Sequence, residues 1–454
     1  MLKKDRIAHY LYLLVTTLII LAPALYNRYP LVYFDSGAYM EMAASLEPSF
    51  HRAIGYSLLM RIFGLMVSNW PIILLQSFLL NVLLFRVCAL LFEHTARVKH
   101  FVSMVLLVFG TSMGWYAGQL MPDIFTLILV IATLSLLLET VLNWKTILVY
   151  SLIIFISSIT HLSHIPLLLL AILSILVLKK QLVLNFFRLR LISLGAALLA
   201  SVLFTCSYNA AYGYGFRLSI ATNVFLTANI AEMGFLKLYL DENCPDAPEE
   251  LCAIRDNIPK ETGGFLWAGD GPVQISGPDW PGLNERWSGV VSDFLLKPRY
   301  LKWFLFGSVK STIQQMFQIE LGSGLQYTYG EGSPPSWPMQ THFKQELNEY
   351  YTSVQNKNAD HLPLPFFKAV NYVTLFLAML LLGWALLSGH LSQRMVTILI
   401  VITIFYFFNA AITGVLANVY ERLQCRLLPL YPMLALWVWF EVWRLVWPKS
   451  SVSD

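Results

Sequence analysis

Apolar runs of about 17 to 22 residues recur along this chain, separated by short polar stretches. They fall at 9–27, 70–92, 101–120, 124–142, 146–162, 165–179, 191–209, 366–387, 395–416 and 427–446. A helix needs about 20 apolar residues to cross the hydrocarbon layer of a bilayer. The pattern predicts an all-α polytopic membrane protein with about ten transmembrane helices. A shorter run at 54–67 reads as a re-entrant or interfacial piece, because a further span there would break the even count that keeps both termini on one face.

Positive residues sit between these runs and set the expected orientation. Lys3, Lys4, Arg6, Arg97, Lys99, Lys145, Lys179, Lys180, Arg188, Arg190, Arg394, Arg444 and Lys449 all fall on one face if the chain starts inside. The first run then reads as an uncleaved span, and both termini are expected in the cytoplasm. The opposite face receives the loops 28–53, 121–123, 163–164, 210–365 and 417–426.

The chain divides on this reading into a membrane module at 1–209, a large outer loop region at 210–365 and a second membrane module at 366–454. The loop carries turn signals such as Gly271-Pro272, Gly277-Pro278 and Ser333-Pro334-Pro335. It is too long for a plain connector and is expected to carry function. Within it, 284–318 reads as helix broken at Lys297-Pro298. Lys and Arg beside Trp303 and Tyr300 suit the membrane interface.

Composition narrows the classes. Of the 454 residues 57% are hydrophobic and 13% charged, about half the charged share of a soluble domain. The net charge of +4 is not gathered into a basic tract, so nucleic acid is not an expected partner. Cys88 and Cys206 fall inside apolar runs and read as small core residues. Cys244 and Cys252 bracket a short stretch of the large loop, where a disulfide becomes plausible if that loop lies in an oxidising compartment.

Candidate chemistry clusters at the outer ends of the runs. Asp35 precedes a helical stretch from Ser36 to Leu46, and reads either as a helix cap or as a catalytic carboxylate. His51, Arg52 and Tyr56 open the short apolar piece and read as interfacial residues or as substrate contacts. Asp123 follows Pro122 at a junction with almost no loop, as a cap or as part of a polar cleft. His161 and His164 share a spacing that places them on one helix face, and both are expected among the substrate contacts. A divalent metal site would require the fold to add Asp35 or Asp123 to His164. Arg422 and Arg426 lie one helical turn apart at the outer face, where the positive-inside rule does not put them. A guanidinium binds phosphate through a fixed fork of donors, so an anionic lipid headgroup is a natural reason for them.

In order and position these elements resemble the membrane-embedded glycosyltransferases of the C superfamily, which include aminoarabinose transferases and protein O-mannosyltransferases. The resemblance rests on Asp35 in the first outer loop and Asp123 at the start of the fourth run. The Arg52–Leu59 stretch resembles the family's Pro-x-Tyr-Pro-Leu-Leu. Lys297-Pro298-Arg299-Tyr300-Leu301 resembles its His-Pro-x-Tyr-Leu, and Arg426-Leu427-Leu428-Pro429 resembles its Arg-Tyr-Leu-x-Pro. It implies a fold of that type with a large periplasmic loop, in a bacterial inner membrane. It further implies an inverting transfer of a sugar from a polyprenyl-phosphate donor to a lipid, glycan or protein acceptor on the periplasmic face. Asp35 would be the base, with Asp123 also catalytic. Arg422 and Arg426, with Arg52, would hold the leaving phosphate.

Three other classes fit parts of the pattern, one of them a non-catalytic membrane assembly factor. An O-antigen ligase or polymerase uses lipid-linked sugars but relies on basic residues of its large loop. A lipid or solute transporter places charges near the membrane midplane, whereas here they gather at the outer ends of the runs.

Overall fold

The computed structural model describes residues 3–182, 184–277 and 279–446. Pro278 of the Gly-Pro turn and Lys449 of the positive set lie outside them. The described chain is all helical, apart from one isolated parallel bridge between Leu31 and Gln119. Segments at Trp70–Gly110, Phe187–Ala211, Leu364–Leu387, Gln393–Leu416 and Glu421–Trp443 are long and apolar enough to cross a membrane, and three shorter apolar helices accompany them. Large apolar side chains such as Leu387, Phe376 and Leu199 stand exposed on these helices, the surface expected of a protein bathed in lipid.

Helix Ile124–Leu138 is the centre of the bundle. Its apolar residues run all the way round, and every residue from Ile124 to Leu137 is buried. Such a helix needs protein on all sides. Helices Trp70–Phe92, Trp144–Ile159 and Gln393–Leu416 supply it. Both of its ends are met by arginines. At the C-terminal end Arg190 donates to the carbonyls of Leu136 and, at 2.6 Å, Glu139, filling acceptors a helix end leaves open. The Glu139 carboxylate in turn accepts from Arg86 Nε at 3.0 Å and from the Tyr150 hydroxyl at 3.2 Å. At the other end stands Asp123.

Several apolar runs are not single helices. The run at 101–120 divides into Ala96–Gly110 and Met113–Ala117, and the Ser112 hydroxyl between them bonds the Cys425 carbonyl at 2.8 Å. The first run divides into Lys3–Ile20 and Ala22–Asn27. The piece at 54–67 forms the ten-residue helix Gly55–Gly64, roughly 15 Å long and too short to cross.

The segment between Phe187–Ala211 and Leu364–Leu387 builds its own hydrophobic cluster around Phe265, Trp280, Trp287 and Phe294. Cys244 and Cys252 are joined by a disulfide beside it, their Cα atoms 5.9 Å apart. From this cluster helix Pro298–Met316 runs back along Gln393–Leu416. The two approach closely at Gly414, where a methyl group would lie 2.9 Å from the Ser311 carbonyl oxygen. The outward side of Pro298–Met316 exposes Leu305, Phe306, Val309 and Ile313.

Candidate functional site

The parallel bridge sets the two acids side by side. Leu31 donates to Gly118 at 2.9 Å and accepts from Leu120 at 2.9 Å, so the segments leading to Asp35 and to Asp123 run together. Each acid then occupies the position before a helix, Asp35 before Ser36–Ser45 and Asp123 before Ile124–Leu138. Neither side chain caps its helix. The cap readings give way to ion pairs with residues far along the chain.

Asp35 pairs with Arg52 and, at 3.3 Å, with Arg422. Asp123 pairs with Arg422 at 3.0 Å and with Arg426 at 3.2 Å. Arg422 therefore bridges both carboxylates. Asp123 and Arg426 are fully buried, while the Asp35 side chain keeps 19% exposure. Burial works against a charged Asp35, but Arg52 and then Arg422 outweigh it and hold its carboxyl below the usual carboxylate range. Three guanidinium groups face two carboxylates, which leaves one excess positive charge. The Nε atoms of Arg422 and Arg426 are buried and make no hydrogen bond. A buried donor without a partner is costly, and an anion arriving at the cluster would relieve that cost.

Neutral groups hold the arginines in place. Arg426 donates to the Asn409 side-chain carbonyl at 3.0 Å. Asn409 in turn donates to the Leu423 carbonyl and to Gln424 Oε1, both at 2.7 Å. Tyr116 donates to the Arg422 carbonyl at 3.1 Å. The Arg422 guanidinium stacks on the Tyr33 ring, 4.3 Å from its centroid.

Two buried glutamines from the large loop pin the approaches to the site. Gln315 donates to the Tyr420 carbonyl at 3.0 Å and accepts from the Tyr420 amide at 2.7 Å. Gln355 does the same to Val32, accepting at 3.0 Å and donating at 2.9 Å. Tyr420 lies two residues before Arg422, and Val32 three before Asp35. Sequence reading missed Tyr33, Asn409, Gln315 and Gln355.

A cavity of about 660 Å³ opens beside the cluster between helices His164–Val177, Phe187–Ala211 and Gln393–Leu416. Its walls are apolar, with Leu169, Leu199, Val202 and Leu416 among them, and its polar end carries His51, His161 and Ser163. Ser163 lies 3.5 Å from Arg426, which joins this end to the arginine cluster. His51 is packed between Trp267 and Trp280, and burial, then the Arg52 charge, pushes its pKa down to about 3.

Of the residues that the sequence offers as substrate contacts, His51 and His161 line this space, Arg52, Arg422 and Arg426 lie in the ion-pair cluster, and Tyr56 and His164 do neither. Tyr56 is fully buried, its hydroxyl 3.2 Å from Gln76 and its ring against Tyr39 and Phe125. His164 is also buried, Nε2 bonded to Thr126 and Nδ1 to the Ser157 carbonyl, both at 2.7 Å. Both nitrogens of His164 and both oxygens of Asp123 are therefore occupied. Among the described residues no three His, Cys, Asp or Glu side chains converge to hold a metal ion. The set Asp35, Asp123 and His164 does not fit a divalent metal, and no step is drawn through one. The Lys297–Leu301 segment lies away from the acids, where Tyr300 bonds Glu242 at 3.0 Å inside the loop's own cluster.

No family model, curated protein or solved structure matches this chain.

Proposed function

We propose that the protein is an inverting glycosyltransferase that takes its sugar from a polyprenyl-phosphate donor, in a ten-span fold like that of the C superfamily, with the reaction on the periplasmic face of a bacterial inner membrane. The observation that carries this reading is the convergence of Asp35, Asp123, Arg52, Arg422 and Arg426 next to a lipid-sized apolar cavity. An isoprenoid chain has no polar atoms and suits the walls formed by Leu169, Leu199, Val202 and Leu416. Its phosphate would then meet Arg426 near Ser163 and, beyond it, Arg422, the two arginines of the cluster whose Nε atoms are unpartnered.

The chemistry follows from charge. The acceptor hydroxyl attacks the anomeric carbon as the bond from that carbon to the phosphate oxygen breaks. The bonding electrons leave with the phosphate, and the hydroxyl proton passes to Asp35. In the free protein Asp35 is a poor base, because two guanidinium groups lower its proton affinity. A bound phosphate competes for Arg422, weakens its hold on Asp35 and raises the carboxylate's basicity as the reaction needs it. The same arginines stabilise the charge that develops on the leaving phosphate, often the largest catalytic contribution of such groups. Asp123, salt-bridged on both oxygens, positions Arg422 and Arg426.

The test is binding of polyprenyl phosphate, the leaving product, to protein in nanodiscs. It should raise the melting temperature of the wild type and of Asp35→Asn, and fail to do so for Arg426→Lys, which keeps the charge but loses the fork. Equal stabilisation of all three would count against the arginines as the phosphate site.

A further inference from the structure

A second cavity, of about 530 Å³, is lined in part by Tyr33, the ring on which Arg422 stacks. We propose that this cavity binds the acceptor, and that the acceptor is a neutral saccharide. The proposal rests on the glycosyl-transfer reading in one respect, that Asp35 takes the acceptor's proton.

The lining is aromatic and hydroxylic. Tyr33, Phe34, Tyr327, Tyr329 and Tyr420 contribute rings, Thr328 and Ser333 add hydroxyls, and no carboxylate or cation takes part. Phe34 and Tyr327 are more than half exposed and stand free to receive a ligand. Sugar rings present flat C–H faces edged with hydroxyls. Aromatic side chains with polar ends match both features, an apolar face for the ring and a hydroxyl for its rim. The guanidinium behind the Tyr33 wall, Arg422, is already paired with Asp35 and Asp123, so the walls themselves offer an acidic glycan no countercharge. A peptide that binds by adding a strand would need exposed backbone edges to pair with, and the walls are helix ends and turns. The volume suits a di- or trisaccharide, within the range of ligand-binding clefts.

The walls are fixed before any ligand arrives. The Tyr329 hydroxyl donates to the Gly324 carbonyl at 2.8 Å, its amide bonds Asn356 at 3.0 Å, and its carbonyl accepts from Tyr350 at 2.5 Å. Gly324 has φ +80°, and a methyl group there would collide with the Tyr33 ring. Tyr33 is thus clamped with Arg422 stacked on it. Its hydroxyl lies 3.4 Å from that of Tyr420. Asp35 is not part of the lining, but it follows Phe34 directly and keeps 19% of its side chain exposed, so a saccharide held against Phe34 would extend a hydroxyl past the wall to reach it. The isoprenoid cavity approaches the same cluster from the His161 side. Donor and acceptor would then meet across the acids without sharing an entrance.

The experiment is a glycan array of neutral and acidic oligosaccharides probed with protein in nanodiscs, without donor. The wild type should bind neutral glycans, and Phe34→Ala and Tyr327→Ala should each weaken that binding roughly 10-fold. Both side chains are exposed, so the variants keep the fold. Binding confined to acidic glycans, no neutral glycan bound, or neutral binding indifferent to both substitutions would overturn the proposal. Release of polyprenyl phosphate from a polyprenyl-phosphate sugar, measured in parallel, separates the two readings. Release without neutral-glycan binding sinks the acceptor site and leaves the transferase. Neutral-glycan binding through Phe34 and Tyr327 without release keeps the cavity and sinks the transferase.

Discussion

Gln315 uses both ends of its side-chain amide on one residue, Tyr420, accepting from its amide at 2.7 Å and donating to its carbonyl at 3.0 Å. The pairing ties a helix of the large loop to the segment that delivers Arg422. Gln315→Leu removes both bonds and leaves two polar backbone groups without partners, at a cost of roughly 1–3 kcal/mol for each one buried. A lower melting temperature is expected, together with a loss of turnover larger than any change in KM for the donor, because Arg422 is misplaced rather than removed. Equal kinetics in Gln315→Leu and wild type would make the clamp a matter of folding alone.

Asp35 and Asp123 are expected to separate in their effects. Asp35→Asn keeps a side chain of the same shape at a partly exposed position, so the protein should fold and transfer should fall about 10²-fold or more. Asp123→Asn leaves Arg422 and Arg426 facing each other without their shared carboxylate in a buried site. Breaking a buried pair in this way costs about 3–5 kcal/mol, so loss of stability should dominate. Thermal melts read beside activity distinguish the two.

How much of this was readable in the sequence depends on the range of the interaction. The runs at 70–92 and 395–416 appear as Trp70–Phe92 and Gln393–Leu416, because an apolar run long enough to span is decided locally. The break at Gly110-Thr111-Ser112 is a short polar interruption too brief to divide the apolar run on local grounds, and the bond that fixes it goes to Cys425. The cap readings of Asp35 and Asp123 failed for the same reason. An aspartate before a helix is a good cap on local grounds, yet a guanidinium hundreds of residues away offers a charged partner and wins. The acids and arginines themselves were legible as misplaced charges. The glutamine clamps were not, because a buried amide carries no sign of which backbone it will meet.

Acid should destabilise the protein through His51. Its pKa in the folded state is about 3, pushed down by burial and by Arg52, against 6.5 for a free histidine. Below 6.5 the unfolded chain takes up a proton that the folded protein refuses, so this contribution is complete above 6.5 and declines as pH falls towards 3. The slope is ~1.4 kcal/mol per pH unit for a full proton. Asp35, also held below its ordinary value, adds to the loss at the acid end. Melting temperatures between about pH 7 and pH 4 should fall in the wild type and fall less steeply in His51→Gln. Parallel curves would remove His51 from the account.

Reduction of the disulfide should act locally. It closes a loop with a sequence separation of 8, for which loss of chain entropy in the unfolded state contributes about 2–3 kcal/mol. Cys244→Ser with Cys252→Ser is expected to speed proteolysis around the Trp280 and Phe294 cluster while leaving the membrane helices protected. Limited proteolysis read by mass spectrometry would show this. Cleavage spread evenly over the chain would mean that the loop's cluster does not depend on the bond.

The most direct measurement follows a synthetic polyprenyl-phosphate hexose and its pentose counterpart, each incubated with the purified protein and a neutral glycan mixture. Polyprenyl phosphate should appear with the wild type, with the anomeric configuration of the transferred sugar inverted, and should fall to background with Asp35→Asn. No release from either donor by wild-type protein, or equal release by Asp35→Asn, would contradict the assignment of the acid and arginine cluster as a glycosyl-transfer site.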